Sequence, residues 1–123
     1  MNIELTKDAE ALVCVLYAEY LKRLKSGKQN PKDFSGTDEA AEYTKNKFSF
    51  EETNEILNSL SRKGLLFQTT HSCGIMVYAT LTDDCIVYME NKGKRHISEV
   101  LKAILGWSTA IAECVTCIST IMQ

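Results

Sequence analysis

Apolar residues recur at helical spacing over the first 27 residues, with lysine and glutamate on the opposite side. Such a repeat predicts an amphipathic helix of about five turns. Thr6 stands where an N-cap is expected, and Gly27 stands where a C-terminal stop is expected. The predicted inward positions are Ala9, Leu12, Val13, Leu16, Tyr17, Tyr20, Leu21 and Leu24.

Two shorter helices are predicted next. Residues 30–34 are compatible with a single helical turn, because a proline follows a capping asparagine. Thr37 then caps a second helix, which runs through Lys47. The sequence Ser49-Phe50-Glu51-Glu52 is a capping box and begins a third helix, which ends at residues 62–64. The second and third helices together form a helix-turn-helix candidate.

The pattern changes from helical to alternating after Gly64, and β-branched and aromatic residues become frequent. Residues 65–70 and 75–81 are therefore predicted to pair as two strands. The short segment 71–74 between them supplies the turn of a β-hairpin.

A further helix is predicted after the hairpin. Thr82 and the two aspartates that follow it cap its start, and the helix stops around residues 91–93. Three helices, a hairpin and another helix follow one another in the order of a winged helix-turn-helix domain. We therefore predict one winged-helix domain over residues 1–92, of the α+β, mainly α class.

Residues 93–123 show a second apolar repeat, with spacings that alternate between four and three from Ile97 to Met122. This spacing is typical of the contact line in a coiled coil or helix pair. We predict that the segment is a separate C-terminal helix that pairs two copies of the chain as a homodimer. The predicted dimer contacts are Leu101, Ile104, Trp107, Ile111, Val115 and Ile118.

Three stretches of the chain resemble bacterial winged-helix proteins: residues 49–52, residues 60–66, and residues 81–91. An Arg-x-Gly pattern followed by two apolar residues, and a Leu-Thr-Asp helix start after the hairpin, are features of MarR-like and PadR-like regulators. The closest likeness is to small winged-helix proteins of Firmicutes and prophages, and it covers roughly residues 6–92. It implies a winged-helix fold and, by analogy of fold, a DNA-binding transcriptional regulator, and it carries over no catalytic motif. Together with the predicted dimer helix, the expected function is that of a dimeric, non-enzymatic DNA-binding regulator.

A DNA-bound winged helix inserts the solvent face of its third helix into the major groove. Helical spacing places Asn54, Asn58 and Arg62 on this face. They are candidate base contacts, because asparagine pairs with adenine and arginine with guanine. The candidate phosphate contacts are Lys45, Lys47 and Lys63.

Charge counts against a DNA-binding role. The net charge of the chain is -2, which gives a phosphate backbone no long-range attraction. The third helix carries three glutamates in its N-terminal half, and residues 64–81 contain no lysine or arginine. The alternative hypothesis is a winged-helix module that binds another protein through the uncharged hairpin and the acidic helix, without DNA.

Candidate catalytic and metal-binding residues are few. Cys114 and Cys117 have the spacing of a zinc or redox pair, but zinc requires two further ligands, and the pair lies within an apolar helix. We predict that both thiols are buried. His71 in the hairpin turn has no acid or second histidine placed to orient it. The expectation is a protein that is not an enzyme and needs no metal or cofactor.

The five cysteines are an odd number and are scattered along the chain, which favours reduced thiols in a reducing compartment. Residues 1–4 carry an acid where a secretory signal would carry basic residues. We therefore expect a cytoplasmic protein. Residues 103–122 are long enough to cross a bilayer, but Glu113 and several serines and threonines make this costly. A membrane anchor is thus the less favoured alternative to a dimer helix.

Overall fold

The computed structural model describes residues 3–44, 47–72 and 74–105. Over these ranges the chain is mainly helical and contains a small antiparallel sheet, which confirms the predicted α+β, mainly α class. The elements are α1 (Lys7–Ser26), β1 (Asp33–Phe34), α2 (Thr37–Tyr43), α3 (Phe50–Arg62), β2 (Leu66–Ser72), β3 (Ile75–Leu81) and α4 (Asp83–Leu105). The sheet has the strand order β1-β3-β2.

Helix α1 lies at the centre of the core and is buried on almost every side. Its predicted ends are confirmed: the Thr6 hydroxyl accepts a hydrogen bond from the Ala9 amide at 3.2 Å, and Gly27 caps the last turn. The predicted inward position of Leu24 is wrong, since this side chain is 47% exposed. The inward position in that turn belongs to Arg23, which is buried against β1 and α2.

The predicted single turn at residues 30–34 is confirmed only in its first part: the Asp33 amide donates to the Asn30 carbonyl at 3.1 Å, but Asp33 and Phe34 form strand β1. Asp33 pairs with Thr80 and Phe34 with Ala79, both in β3. The Phe34 ring is buried in the core. Pairing with a strand more than 40 residues away supplies backbone hydrogen bonds that a single helical turn could not provide.

Helix α2 packs closely against the hairpin. It ends at Tyr43 rather than at Lys47 as predicted, and its N-cap is Gly36 rather than Thr37. Gly36 has a φ of 76°, and a Cβ at this position would lie 2.2 Å from the carbonyl oxygen of Met76. Only glycine therefore allows α2 to start so close to β3.

The capping box at the start of α3 and the hairpin are both confirmed. Ser49 Oγ accepts from the Glu52 amide at 3.1 Å, and Glu52 Oε1 accepts from the Ser49 amide at 3.0 Å. Strands β2 and β3 pair from Leu66 opposite Leu81 to Ser72 opposite Ile75, with irregularities in register near the middle.

The predicted helix stop at residues 91–93 is confirmed as a break in helical geometry at Gly93, whose φ of 81° and ψ of 158° are not helical. A second helical stretch of α4 follows this kink and continues to Leu105. Ile97 and Leu101, beyond the kink, are fully buried in the same core as α1. The predicted boundary between residues 92 and 93 therefore coincides with this break, and α4 packs on α1.

The prediction that Leu101 is a dimer contact is wrong, since the apolar repeat at this point faces the core of its own chain. Ile104 lies near the end of α4, and nothing further is described of its side chain. Trp107, Ile111, Val115 and Ile118 lie outside the described residues.

Within the described ranges, none of the helices has the length and apolarity required to cross a bilayer. Most of the segment 103–122, considered above as an anchor, lies outside these ranges.

Candidate functional site

The surface that could meet a partner is formed by α3 and the hairpin beside it. Helix α3 buries Thr53, Leu57 and Leu60 and leaves Ile56 half-buried. Three glutamates remain exposed in its first two turns, and two basic residues are exposed at its end. These are Glu51, Glu52, Glu55, Arg62 and Lys63.

Asn54 is not on the solvent face predicted from helical spacing. Its Nδ2 donates to the Gly74 carbonyl at 2.8 Å, and its Oδ1 accepts from the Met76 amide at 2.9 Å. The Thr37 hydroxyl also donates to this Oδ1, at 2.9 Å. The side chain thus links α2, α3 and the hairpin, and its polar atoms are already hydrogen-bonded. A base contact by Asn54 would have to break these bonds.

The other predicted DNA contacts are more accessible but dispersed. Asn58 Nδ2 donates to the backbone carbonyl of Asn54 at 2.9 Å, so this amide is bonded to its own helix. Asn58 and Arg62 line a shallow groove of about 470 Å³ between α1 and α3. Lys63 Nζ donates to the Glu4 carbonyl at 2.7 Å, and Lys47 is exposed. Lys45 lies outside the described residues.

Apolar side chains of the hairpin project into solvent. Phe67 is 61% exposed and Val77 is 43% exposed, and Ile75 and Tyr78 are each 36% exposed. These four residues are called the hairpin patch below. Three other residues of β3 are buried: Met76, Ala79 and Leu81. One face of the strand therefore packs on the core, and the other face is exposed to solvent. The sequence identifies the hairpin as uncharged but does not identify these exposed residues, because the irregular register of β2 and β3 interrupts the alternation of inward and outward positions.

The β1 side of the hairpin is fixed by polar contacts. The Thr80 hydroxyl donates to Asp33 Oδ1 at 2.7 Å. A hydrogen bond to the same carboxylate raises the pKa of Tyr78. The hydrogen bond between Thr80 and Asp33, together with the pairing of β1 and β3, therefore braces the strand that carries Ile75, Val77 and Tyr78 of the hairpin patch.

The charge around this surface is predominantly negative. The exposed acids of α2 and α3 are Asp38, Glu42, Glu51, Glu52 and Glu55, whereas the exposed bases of the same region, among the described residues, are Lys47, Arg62 and Lys63. Hydrogen bonding by the backbone amide and the side chain of Ser49 lowers the pKa of Glu52, which favours the charged form of this carboxylate. Such a surface repels a phosphate backbone more than it attracts one.

Among the described residues, no group of three or more histidine, cysteine or acidic side chains is placed to hold a metal ion. Cys14 and Cys85 are buried; burial raises the pKa of Cys85 to about 12 and raises that of Cys14 further. Both are therefore protonated and unreactive at neutral pH. Cys114 and Cys117 lie outside the described residues, as does the side chain of His71.

No protein-family model, no curated protein and no solved structure matches this chain.

Proposed function

We propose that the chain is a winged helix-turn-helix domain that serves as a non-enzymatic protein-interaction module and binds its partner through the hairpin patch. The observation that carries this proposal is the exposure of Phe67, Ile75, Val77 and Tyr78 on a hairpin that has no lysine or arginine between residues 64 and 81. Clustered exposed apolar side chains on a folded domain mark interaction surfaces more often than isolated ones do.

The winged-helix assignment is supported by the order of the elements. A helix, a short strand, two further helices and a hairpin follow one another, and β1 joins the sheet beside β3. The hairpin then lies beside α3, held there by Asn54. This arrangement agrees with the resemblance carried by the sequence around residues 49–66 and 81–91.

The hairpin patch suits a protein partner for energetic reasons. Phe and Tyr are both enriched in protein interfaces, and Tyr is also enriched at the positions that contribute most of the binding energy. The patch lies on paired strands braced by Asp33, so little conformational entropy is lost when a partner binds it.

We expect substitution of the patch to abolish capture of the partner without unfolding the domain. The tagged chain is used for affinity capture from cells with quantitative mass spectrometry, in parallel with Phe67→Ser/Val77→Ser. Proteins enriched by the wild type should fall at least about tenfold with this variant, which corresponds to about 1.4 kcal/mol of binding free energy.

The matched control for this experiment is Val87→Ser, because Val87 is 54% exposed but lies on α4, outside the hairpin. Its captured proteins should equal those of the wild type. Circular dichroism checks that all three chains are folded. Identical capture by the wild type and the hairpin variant would remove the patch from the interface.

A DNA-binding regulator is the second candidate, favoured by the element order and by the exposure of Lys47, Arg62 and Lys63. Titration of a duplex DNA of arbitrary sequence at low salt discriminates between the two candidates. Under the first proposal we expect no saturable binding, because the carboxylates of α2 and α3 outnumber the nearby bases.

The opposite result would favour DNA binding. Affinity that falls steeply with added salt, and that weakens in Arg62→Ala but not in Lys22→Ala, would place Arg62 in a DNA interface and displace the first proposal. Lys22 is a suitable control because it is exposed on α1, away from the helix-turn-helix.

A further inference from the structure

Strand β2 forms an open edge of the sheet. In the strand order β1-β3-β2 it has a neighbouring strand on one side only. The other edge of the hairpin is covered by β1 and, at Met76, by α2 and α3: the Met76 amide donates to Asn54 Oδ1, and the Met76 carbonyl accepts from the Thr37 hydroxyl. Within the described ranges, no hydrogen bond from another element reaches the outer side of β2.

The backbone groups of Leu66 and Gln68 point to this outer side. Leu66 lies opposite Leu81, whose amide donates away from β2, to the residue before β1, at 3.0 Å. In an antiparallel ladder, two residues opposed in this way both direct their amide and carbonyl away from each other. The same alternation applies two residues along, where Gln68 lies opposite Ala79 and Ala79 pairs with β1. Among the described residues, two donors and two acceptors therefore remain unpaired on this edge, on either side of Phe67.

This spacing is self-complementary under a two-fold axis. When Phe67 of one copy lies opposite Phe67 of another in antiparallel strands, Leu66 of each copy lies opposite Gln68 of the other. Each of these two pairs exchanges two hydrogen bonds, which uses every outward group of Leu66 and Gln68. Phe67 then occupies the non-hydrogen-bonded position between them, where opposed side chains lie closest and an aromatic pair stabilises the sheet. The Phe67 side chain is 61% exposed, so it is available for this contact.

The charges on and around β2 are compatible with self-pairing. Edge strands are commonly protected from association by charged side chains, but residues 66–72 contain no aspartate, glutamate, lysine or arginine. The acidic half of α3 lies at the hairpin tip, where Asn54 donates to the Gly74 carbonyl. The basic end of α3, with Arg62 and Lys63, lies at the hairpin base. Antiparallel pairing of β2 places the basic end of each copy on the same side of the dimer as the acidic end of the other, whereas parallel pairing aligns like charges.

From these observations we infer that the edge of β2 binds a second copy of this chain, so that two three-stranded sheets join into one. Regular pairing is limited to residues 66–68, because the register irregularity after Gln68 interrupts the ladder. Such a short interface gives a weak dimer, which dissociates at the low protein concentrations of unfolding measurements. The inference goes beyond the proposed function, because it uses backbone groups at the edge of β2, whereas the proposed partner covers the outer face of the hairpin.

The first test is sedimentation equilibrium of the purified full chain between about 10 μM and about 1 mM. We expect the average mass to rise from that of one chain towards that of two. Gln68→Pro should weaken this association at least about tenfold, because it removes an outward donor but no bond of the β2–β3 ladder. Gln68→Thr keeps the amide and is the matched control, which should associate like the wild type. Circular dichroism checks that both variants are folded.

A wild type that stays monomeric over this range would overturn the inference. A dimer that persists unchanged in Gln68→Pro would overturn it as well, and would assign dimerisation to another part of the chain. Capture of a cellular partner is measured separately with Gln68→Pro, which leaves the side chains of the hairpin patch intact. Loss of dimerisation with capture at the wild-type level would support both proposals, whereas dimerisation without any patch-dependent capture would remove the proposed function alone.

Cross-linking tests the position of the two-fold axis. Opposed residues of a non-hydrogen-bonded pair lie close enough for a disulfide, so Phe67→Cys should form a disulfide-linked dimer under mild oxidation, in excess over the wild type. Val77→Cys is the matched control, because Val77 is also exposed on the hairpin but lies on β3, away from the edge. Equal cross-linking of the two variants would contradict an axis at Phe67 and overturn the inferred pairing.

Discussion

Leu101→Ala is expected to lower the free energy of unfolding by about 3 kcal/mol. Leu101 is fully buried, and α4 packs along α1 at this point. Removal of its side chain leaves a cavity between two helices that are held elsewhere by Met89 and Ile97, so that the site cannot collapse to fill it. The measurement is equilibrium unfolding in urea, followed by circular dichroism.

Leu24→Ala is the control for this prediction, because it removes the same atoms from a side chain that is 47% exposed. Its effect should stay below about 1 kcal/mol. Both chains are compared over a range of protein concentrations. If Leu101 acted between subunits, the urea midpoint of the wild type would depend on protein concentration, and the substitution would lower the sedimentation coefficient. Such a result, or an effect equal to that of Leu24→Ala, would contradict burial of Leu101 within its own chain.

The error over Leu101 has a physical origin. Spacings of four and three describe one face of a helix, and that face is equally apolar whether it meets its own core or a second copy. The repeat therefore predicts that Leu101 is buried, but it does not predict whether the chain's own core or a second copy of the chain covers it. The glycine at position 93 indicated a helix end, yet a glycine with positive φ also allows a kink after which the helix resumes.

The parts of the fold that the sequence predicts well are those determined by neighbouring residues. The capping box at Ser49 and the cap at Thr6 involve contacts three residues apart, so the local sequence contains both partners. Strand β1 and the placement of Asn54 depend instead on β3, which lies far along the chain. Helical spacing alone could not reveal that the hairpin covers Asn54.

Some features of the candidate site could also be predicted from the sequence, and others could not. The absence of lysine and arginine between residues 64 and 81 is a property of composition and is evident from the sequence. Which hairpin residues are exposed depends on the register of β2 and β3 and on its irregularities, which displace the alternation by one position. The exposure of Phe67 and Val77 thus required the structure.

Arg23→Ala is the second substitution for which we expect a large effect, a loss of about 3 to 5 kcal/mol in the free energy of unfolding. Arg23 is only 5% exposed, and its guanidinium group pairs with Glu39 and donates to the Tyr43 hydroxyl at 2.9 Å. It also lies 4.3 Å from the centre of the Phe34 ring. The substitution removes these contacts from the junction of α1, β1 and α2 and leaves a largely buried carboxylate without its cation. Lys22→Ala, at the exposed neighbouring position, should change stability by less than about 0.5 kcal/mol.

The pH dependence of this loss tests its electrostatic origin. Burial alone would raise the pKa of Glu39, but hydrogen bonds from Tyr43 and the Ser35 amide, together with Arg23, lower it overall. In the wild type the stability contributed by this carboxylate is present above the pKa of an unfolded glutamate and is lost as the pH falls through the lower folded value. The difference between wild type and Arg23→Ala should therefore shrink below about pH 4.

Neutralising the partner provides the remaining check, because Arg23→Ala/Glu39→Gln no longer buries an unpaired charge. At neutral pH this double variant should recover part of the stability lost by Arg23→Ala alone. A double variant that is less stable than Arg23→Ala, with a loss that does not vary with pH, would show that Arg23 acts through packing on Phe34 rather than through its charge. The expected recovery follows from the geometry. The Glu39 side chain is only 17% exposed, and the Ser35 amide and the Tyr43 hydroxyl both donate to it, so it stays largely buried without Arg23.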